Sequence, residues 1–187
     1  MNLDFSILHW IHNTLTCPAL DFIMPKITML GNGSIIWLLA SSGLLCTRKY
    51  RKQGLLLLGG LAVGVLVGNV FLKHLIARPR PCWLEPGIKL LIANPADYSF
   101  PSGHTLSSVI GATILAKTDR RLGYVAIPLS ALIAFSRLYL YVHFPSDVLA
   151  GAALGIVIGT LVFRFGDLGL RRVQLLLADR HDTKKSA

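Results

Sequence analysis

Charge disappears from the chain for long stretches. Ile27 to Thr47 is a 21-residue run without a charged side chain, and Gln53 to Leu72 is a second run of 20. A helix rises about 1.5 Å per residue, so a run of about 20 covers the roughly 30 Å hydrocarbon core of a bilayer. Three more apolar segments follow, at Ser102–Ala116, Leu122–Val142 and Pro145–Phe163, with Arg137 inside the second of these. The pattern predicts an all-α fold, a polytopic membrane bundle of five transmembrane helices spanning residues 27–170. Before it, Leu3, Ile7, Ile11 and Leu15 recur at helical spacing with Asp4, His9, His12 and Asn13 between them, ending at Thr16-Cys17-Pro18. Residues 1–26 are therefore expected to form an interfacial amphipathic segment with Trp10 at headgroup level. A sixth span through this segment stays open. A cleaved signal peptide does not fit, because Asp4 stands where such peptides are basic.

Two of the apolar runs carry small-residue ladders. Gly60, Gly64 and Gly68 repeat every four residues, as do Gly151, Gly155 and Gly159. Such stripes let helix backbones approach closely in lipid. If both are packing faces, they bring the second and fifth spans to the same core.

Composition sharpens the picture. The 187 residues are 53% hydrophobic and 15% charged, which excludes a disordered chain, and three cysteines exclude a disulfide scaffold. The formal net charge of +10 suggests nucleic acid until the basic residues are placed. Thirteen of the nineteen lie in the loops after the first and third spans or in and just before the tail at 171–187. Under this threading they share one side, which the positive-inside rule makes cytoplasmic. The basic tail is then cytoplasmic, and no nucleic-acid partner is expected. Lys26, Lys73, Arg78, Arg80, Lys89 and Arg137 remain, five of them at the opposite ends of the second to fourth spans. Ionisable groups at membrane depth are expensive and point to function. Cys82 is expected at the accessible mouth of that end, and Cys46 at the cytoplasmic end of the first span.

Three segments there carry chemistry. Lys73 and Arg80 are seven residues apart, two turns on one face if the helix persists, and Pro79 and Pro81 favour a stop. Two cations on one face suit an anion, and the Arg fork matches phosphate oxygens. Phe100-Pro101-Ser102-Gly103-His104 opens the third span. Ser102 is a natural N-cap, Gly103 permits close backbone approach, and the helix start favours an anion. Finally, Pro145 suits the first turn of a helix, so His143 lies just before it, and Asp147 is placed to reach back to the imidazole. A capping contact for this His–Asp pair is an equal alternative from spacing alone.

Together, Lys73…Arg80-Pro81, Pro101-Ser102-Gly103-His104 and Ser136-Arg137…His143…Asp147 resemble the type 2 phosphatidic acid phosphatase superfamily, which includes bacterial lipid phosphatases and vanadium-dependent haloperoxidases. The five apolar spans conflict with the soluble haloperoxidase branch. The resemblance implies that His143 is the nucleophile, forming a phosphohistidine, with Asp147 orienting it and His104 protonating the leaving oxygen. It implies that Lys73, Arg80, Arg137, Ser102 and Gly103 bind the phosphate. No cofactor or metal is expected, since side-chain cations fill that role. His74 and Arg78 fall outside the fixed motif and are expected to tune the headgroup pocket or sit in the interface. The 82–98 loop, with Trp83 and Leu90-Leu91-Ile92, forms the lip of the site. The expected substrate is a lipid phosphate held in the bilayer, with the site on the extracytoplasmic face of the cell membrane. Undecaprenyl diphosphate is preferred over phosphatidylglycerophosphate, phosphatidic acid or lipid A phosphates. A non-catalytic lipid-phosphate binding or transport protein is the alternative from another class.

Overall fold

A computed structural model describes the backbone of residues 3–185 and the side chains as far as residue 166. Among the described residues every regular element is helical. Helix α1 (Leu3–Leu15) ends before Cys17, and Pro18 occupies the first turn of α2 (Pro18–Gly31), where its missing N–H costs nothing. Asn32–Ser34 forms a short 3-10 turn in which Gly33 (φ 55°) and Ser34 (φ 60°) are left-handed, and α3 (Ile35–Cys46) continues the run. Helix α4 (Arg51–Gly64) passes into a π-helical stretch, Val65–Leu72, and then α5 (Lys73–Ile76). Ala77 adopts φ 46° and stops it ahead of the prolines, after which α6 (Pro81–Leu84) begins a long irregular connection. Helices α7 (Gly103–Thr118), α8 (Arg120–Tyr139) and α9 (Pro145–Lys185) complete the chain.

Four helical stretches are long and apolar enough to cross a membrane: Pro18–Cys46, Arg51–Leu84, Arg120–Tyr139 and Pro145–Gly166. The expected break after residue 26 is absent. The first span begins at Pro18, because Lys26 lies within α2 and turns its ammonium over the Phe22 ring, 3.3 Å from the centroid, rather than ending the helix. The run expected as a third span is the 16-residue α7, which is buried over much of its length. Helix α1 has 13 residues, about 20 Å of helix, which does not reach across a bilayer. It is also less of a surface element than its periodicity predicts. Leu8 is buried with Tyr141 and Phe144, and Ile11 with Tyr139 and Val142, while Trp10 stays 58% exposed.

The core forms around α7, which touches α2, α3, α4, α8 and α9. Both glycine ladders pack against it, as their spacing predicts. A Cβ on Gly60 or Gly64 would lie 2.9 Å or 2.6 Å from a methyl of Ile114 or Ile110, and one on Gly68 would lie 2.3 Å from Leu106. On the adjoining face, Gly155 faces Val109 and Gly159 faces Thr113, while Gly151 faces the Ser102 carbonyl at 2.8 Å. Trp37 of α3 closes a third side, lying over Gly111 and donating its Nε1–H to Ser108 Oγ at 3.0 Å. At one end of the bundle Tyr50 donates to Asp119 Oδ2 at 3.0 Å. The two basic connections, α3–α4 and α7–α8, therefore lie side by side. The basic tail at 171–187 lies outside the residues whose side chains are described.

The Gly151 contact is the sharpest test of this packing, since backbone cannot move aside as a side chain does. Gly151→Ala is expected to cost about 1–3 kcal/mol by overpacking and to lower the melting temperature in detergent by several degrees. Gly59→Ala, with nothing within 4 Å of its new methyl, serves as the control and should melt unchanged or higher. Equal melting of the Gly151 variant and the parent would contradict the close approach of α9 and α7.

Candidate active site

At the end opposite the basic connections, a cavity of roughly 760 Å³ opens between the break at Asn32–Ser34, the π stretch and α7. Lys73, Arg80, Gly103, His104, Arg137 and His143 all line it, so six of the eight expected site residues meet in one space. Lys73 comes from α5 and Arg80 from the extended residue ahead of α6, the stop at Ala77 letting both reach one point. Gly103 is there for close approach: a Cβ would lie 2.7 Å from Asn69 Oδ1. Arg137 lies in the last turn of α8 and donates from Nη1 to Thr28 Oγ1 at 2.6 Å. Its Nε is buried with no hydrogen-bond partner among the described residues.

His143 sits in the turn between α8 and α9, where Tyr141 takes φ 59° and reverses the chain. Arg80 Nη1 lies 3.1 Å from His143 Nε2 and also donates to the Val142 carbonyl at 2.6 Å. The Nε2 lone pair therefore faces the cations, which assigns the proton to Nδ1. Burial, and then Arg80, Arg137, Lys73 and His104 around it, holds the imidazole well below the usual histidine range. His104, on the first turn of α7, places Nε2 2.8 Å from Asn32 Oδ1.

Asp147 and Ser102 do not line the cavity. Asp147 is wholly buried behind His143, its Oδ2 3.7 Å from His143 Nδ1. That oxygen accepts from the Phe144 amide at 2.9 Å and from the Ser99 hydroxyl, whose oxygen also stands 3.5 Å from Nδ1. Asp147 thus caps the turn and stands behind His143, with Ser99 set between them. Ser102 is an N-cap: its hydroxyl oxygen accepts from the Thr105 amide at 3.5 Å and from Thr105 Oγ1 at 3.0 Å. The Ser102 side chain is fully buried at the helix start, outside the cavity lining. Among the described residues no group of three His, Cys, Asp or Glu side chains is gathered as a metal ion would need.

A scan against family models matches residues 53–168 to the PAP2 superfamily. The chain belongs to that superfamily. An undecaprenyl-diphosphatase of Sulfolobus acidocaldarius is 32% identical over 179 residues, covering 94% of this chain and 86% of that protein. Undecaprenyl-diphosphatase BcrC of Bacillus subtilis is 32% identical over 171 residues, covering 90% of this chain and 86% of its own. Among solved structures, a transmembrane PAP2-type phosphatidylglycerolphosphate phosphatase from Bacillus subtilis superposes with a TM-score of 0.72 at 30% identity, covering 88% of this chain and 84% of that one. This PAP2 protein is accordingly a multi-pass membrane lipid phosphatase.

Several residues of the PAP2 site are silent in the sequence. Asp97, in the irregular connection, accepts from Lys73 and, at 2.7 Å, from Arg80 Nη2, while Arg80 Nε donates to its carbonyl at 2.6 Å. Burial alone would raise its carboxyl, but Lys73 and Arg80 hold it down at about 2. Arg78, expected to tune the headgroup pocket or sit in the interface, instead donates to Asp147 Oδ1 at 2.6 Å and to Ser146 Oγ at 2.7 Å. Its other nitrogen reaches Asp4 of α1 at 2.7 Å, and Asp4 accepts from the Ser146 amide at 3.0 Å. Arg78 was legible as a third cation in the motif run; Asp4, Asp97 and Ser99 follow no spacing rule. Trp83 pins the connection, donating to Asn94 Oδ1 and the Pro95 carbonyl at 3.1 Å each, and Leu91 and Ile92 line the cavity. Cys82 is not at an open mouth: it is buried, 5% exposed, with Sγ 3.5 Å from Asn94 Oδ1, whereas Cys17 and Cys46 are exposed.

A depressed histidine pKa means that the folded protein takes up this proton only well below the ordinary value near 6.5. His143 should therefore stay a neutral base as pH falls from about 7.5 to about 5.5, where a free histidine becomes mostly protonated. Nitrogen-15 spectra of labelled histidines, with His143→Ala for assignment, should show its signals unmoved over that range. Titration near 6.5 would contradict the arrangement.

Proposed function

We propose that this PAP2 phosphatase removes the terminal phosphate of a polyprenyl diphosphate, converting undecaprenyl diphosphate to undecaprenyl phosphate through a phosphohistidine on His143. The observation that carries the reading is His143 Nε2, 3.1 Å from Arg80 Nη1 on a cavity walled by three cations and shared with a second histidine. Binding an anion needs the cations alone. It does not need a buried imidazole whose far nitrogen is oriented by Asp147 and Ser99, and this speaks against a non-catalytic lipid-phosphate binding or transport protein.

The reaction follows from that placement. His143 Nε2 attacks the terminal phosphorus as the bond to the bridging oxygen breaks. His104 gives its proton to that oxygen, so the lipid leaves as a monophosphate. Water then attacks the phosphohistidine, His104 accepts its proton, and inorganic phosphate departs with His143 restored. Lys73, Arg80 and Arg137, with the Gly103 amide, stabilise the charge spread over the equatorial oxygens. Asp147 favours the Nδ1–H tautomer and the charge that grows on the ring. Ser102 serves by fixing the start of α7, which aims Gly103 and His104.

Membrane placement uses five crossings: Pro18–Cys46, Arg51–Leu84, α7, α8 and α9. Helix α1 lies at the outer surface, clipped by Asp4. The adjoining basic connections support a cytoplasmic location for their end, which leaves the cavity extracytoplasmic and the basic tail cytoplasmic. Met29, Val65, Leu91 and Ile92 give the cavity an apolar wall next to its cations, suited to a lipid whose tail remains in the bilayer. The names of the two undecaprenyl-diphosphatase relatives favour the polyprenyl substrate.

Phosphate release by the purified protein in detergent tests the reading, with undecaprenyl diphosphate, phosphatidylglycerophosphate and phosphatidic acid compared. The diphosphate should give the highest kcat/KM, and His143→Ala should lower kcat by about 10⁴-fold or more. A variant as active as the parent would overturn the mechanism. A preference for phosphatidylglycerophosphate would replace the substrate while leaving the chemistry in place.

A further inference from the structure

The phosphate site already holds an anion, and that anion belongs to the chain. The Asp97 carboxylate takes the positions on Lys73 and Arg80 that two phosphate oxygens would take. It is a tethered competitor, present at the high effective concentration that attachment confers. Its backbone is fixed by the bond from Arg80 Nε to the Asp97 carbonyl, but its side chain is 56% exposed and free to turn away without moving the chain. Asp97 neutralises only part of the cluster. Arg137 is 4% exposed and spends Nη1 on Thr28, and its Nε, buried without a partner among the described residues, still lacks an acceptor.

We propose that Asp97 is the specificity-determining residue of this site, admitting dianionic terminal phosphates and excluding the monoanionic phosphodiester headgroups that fill the bilayer. The proposal rests on the phosphatase reading above and deepens it. A phosphodiester carries one charge and two free oxygens, as a carboxylate does. In displacing Asp97 it gains no more from Lys73 and Arg80 than it removes. A terminal phosphate carries a charge of about −1.5 to −2 at neutral pH and has three free oxygens. The additional oxygen and charge meet Arg137, which Asp97 does not hydrogen-bond and whose Nε has no acceptor among the described residues. An empty cationic cavity open to a membrane of phosphodiesters would be occupied by them; a self-filled one yields only to the more highly charged ligand.

The test reads binding and competition on the full-length protein in detergent. Inorganic phosphate binding by calorimetry should tighten at least about tenfold in Asp97→Asn, because the probe no longer displaces a charge. In mixed micelles, rising phosphatidylglycerol should leave the KM of the parent for its lipid phosphate unchanged. In Asp97→Asn it should raise KM at least about tenfold, with kcat unaffected by the diester, and Asp97→Glu should restore resistance. Asp97→Ser provides a second neutral side chain if the amide misfolds. Unchanged or weaker phosphate binding in the neutral variants overturns the proposal, as do equal phosphatidylglycerol sensitivity in variant and parent, or loss of folded protein in both neutral variants. Phosphate binding is measured without turnover, so an error in the assigned lipid would show in the substrate comparison and leave this result readable.

Discussion

Three buried cations at one end of a membrane bundle set the terms for everything around them. Lys73, Arg80 and Arg137 are each less than a tenth exposed and line one cavity. Like charges so close, and so far from bulk water, repel strongly and lose hydration, so each needs a partner. The fold supplies these from elements remote in sequence: Asp97 from the connection after α6, Thr28 from α2, and the Val142 carbonyl beside His143. Burial, joined by the same cations, holds the His143 imidazole well below the usual histidine range. In the proposed mechanism, anion binding and nucleophile activation both draw on this one charge cluster.

Holding that cluster in place accounts for much of the architecture. The glycine ladders let α4 and α9 close on α7, the helix bearing Gly103 and His104. The chain stops its helices where chemistry is needed, at Ala77 before Arg80 and at Tyr141 before His143, both with positive φ. A second layer then fixes the carboxylate behind His143. Arg78 joins Asp147 to Asp4, so the N-terminal helix is tied into the site by an ionic contact as well as by the packing of Leu8 on Tyr141 and Phe144.

The motif residues were readable in the sequence because phosphoryl chemistry requires particular types at particular spacings, and six of eight meet in the cavity. Their partners were not readable. Asp97 and Ser99 lie in an irregular connection, where no period relates a residue to the site it serves. Asn32 sits inside an uncharged run that reads as plain membrane helix until the break at Gly33 and Ser34 is seen. Hydropathy marks the outer helices more strongly than α7, which has 16 residues and carries the polar Thr105, Ser107 and Ser108 on buried positions. It also placed the first span too late, since Lys26 reads as an end while the backbone runs through it from Pro18.

The claim that one cation cluster both receives the phosphoryl group and is balanced beforehand by Asp97 can be seen directly in a crystal structure with orthovanadate, a mimic of the transferring phosphoryl group. The account predicts vanadium in line with His143 Nε2, its oxygens on Lys73, Arg80 and Arg137, and the Asp97 carboxylate turned out of the cavity with its carbonyl still on Arg80. Vanadate bound elsewhere, or bound there with Asp97 still on Lys73 and Arg80, would contradict it.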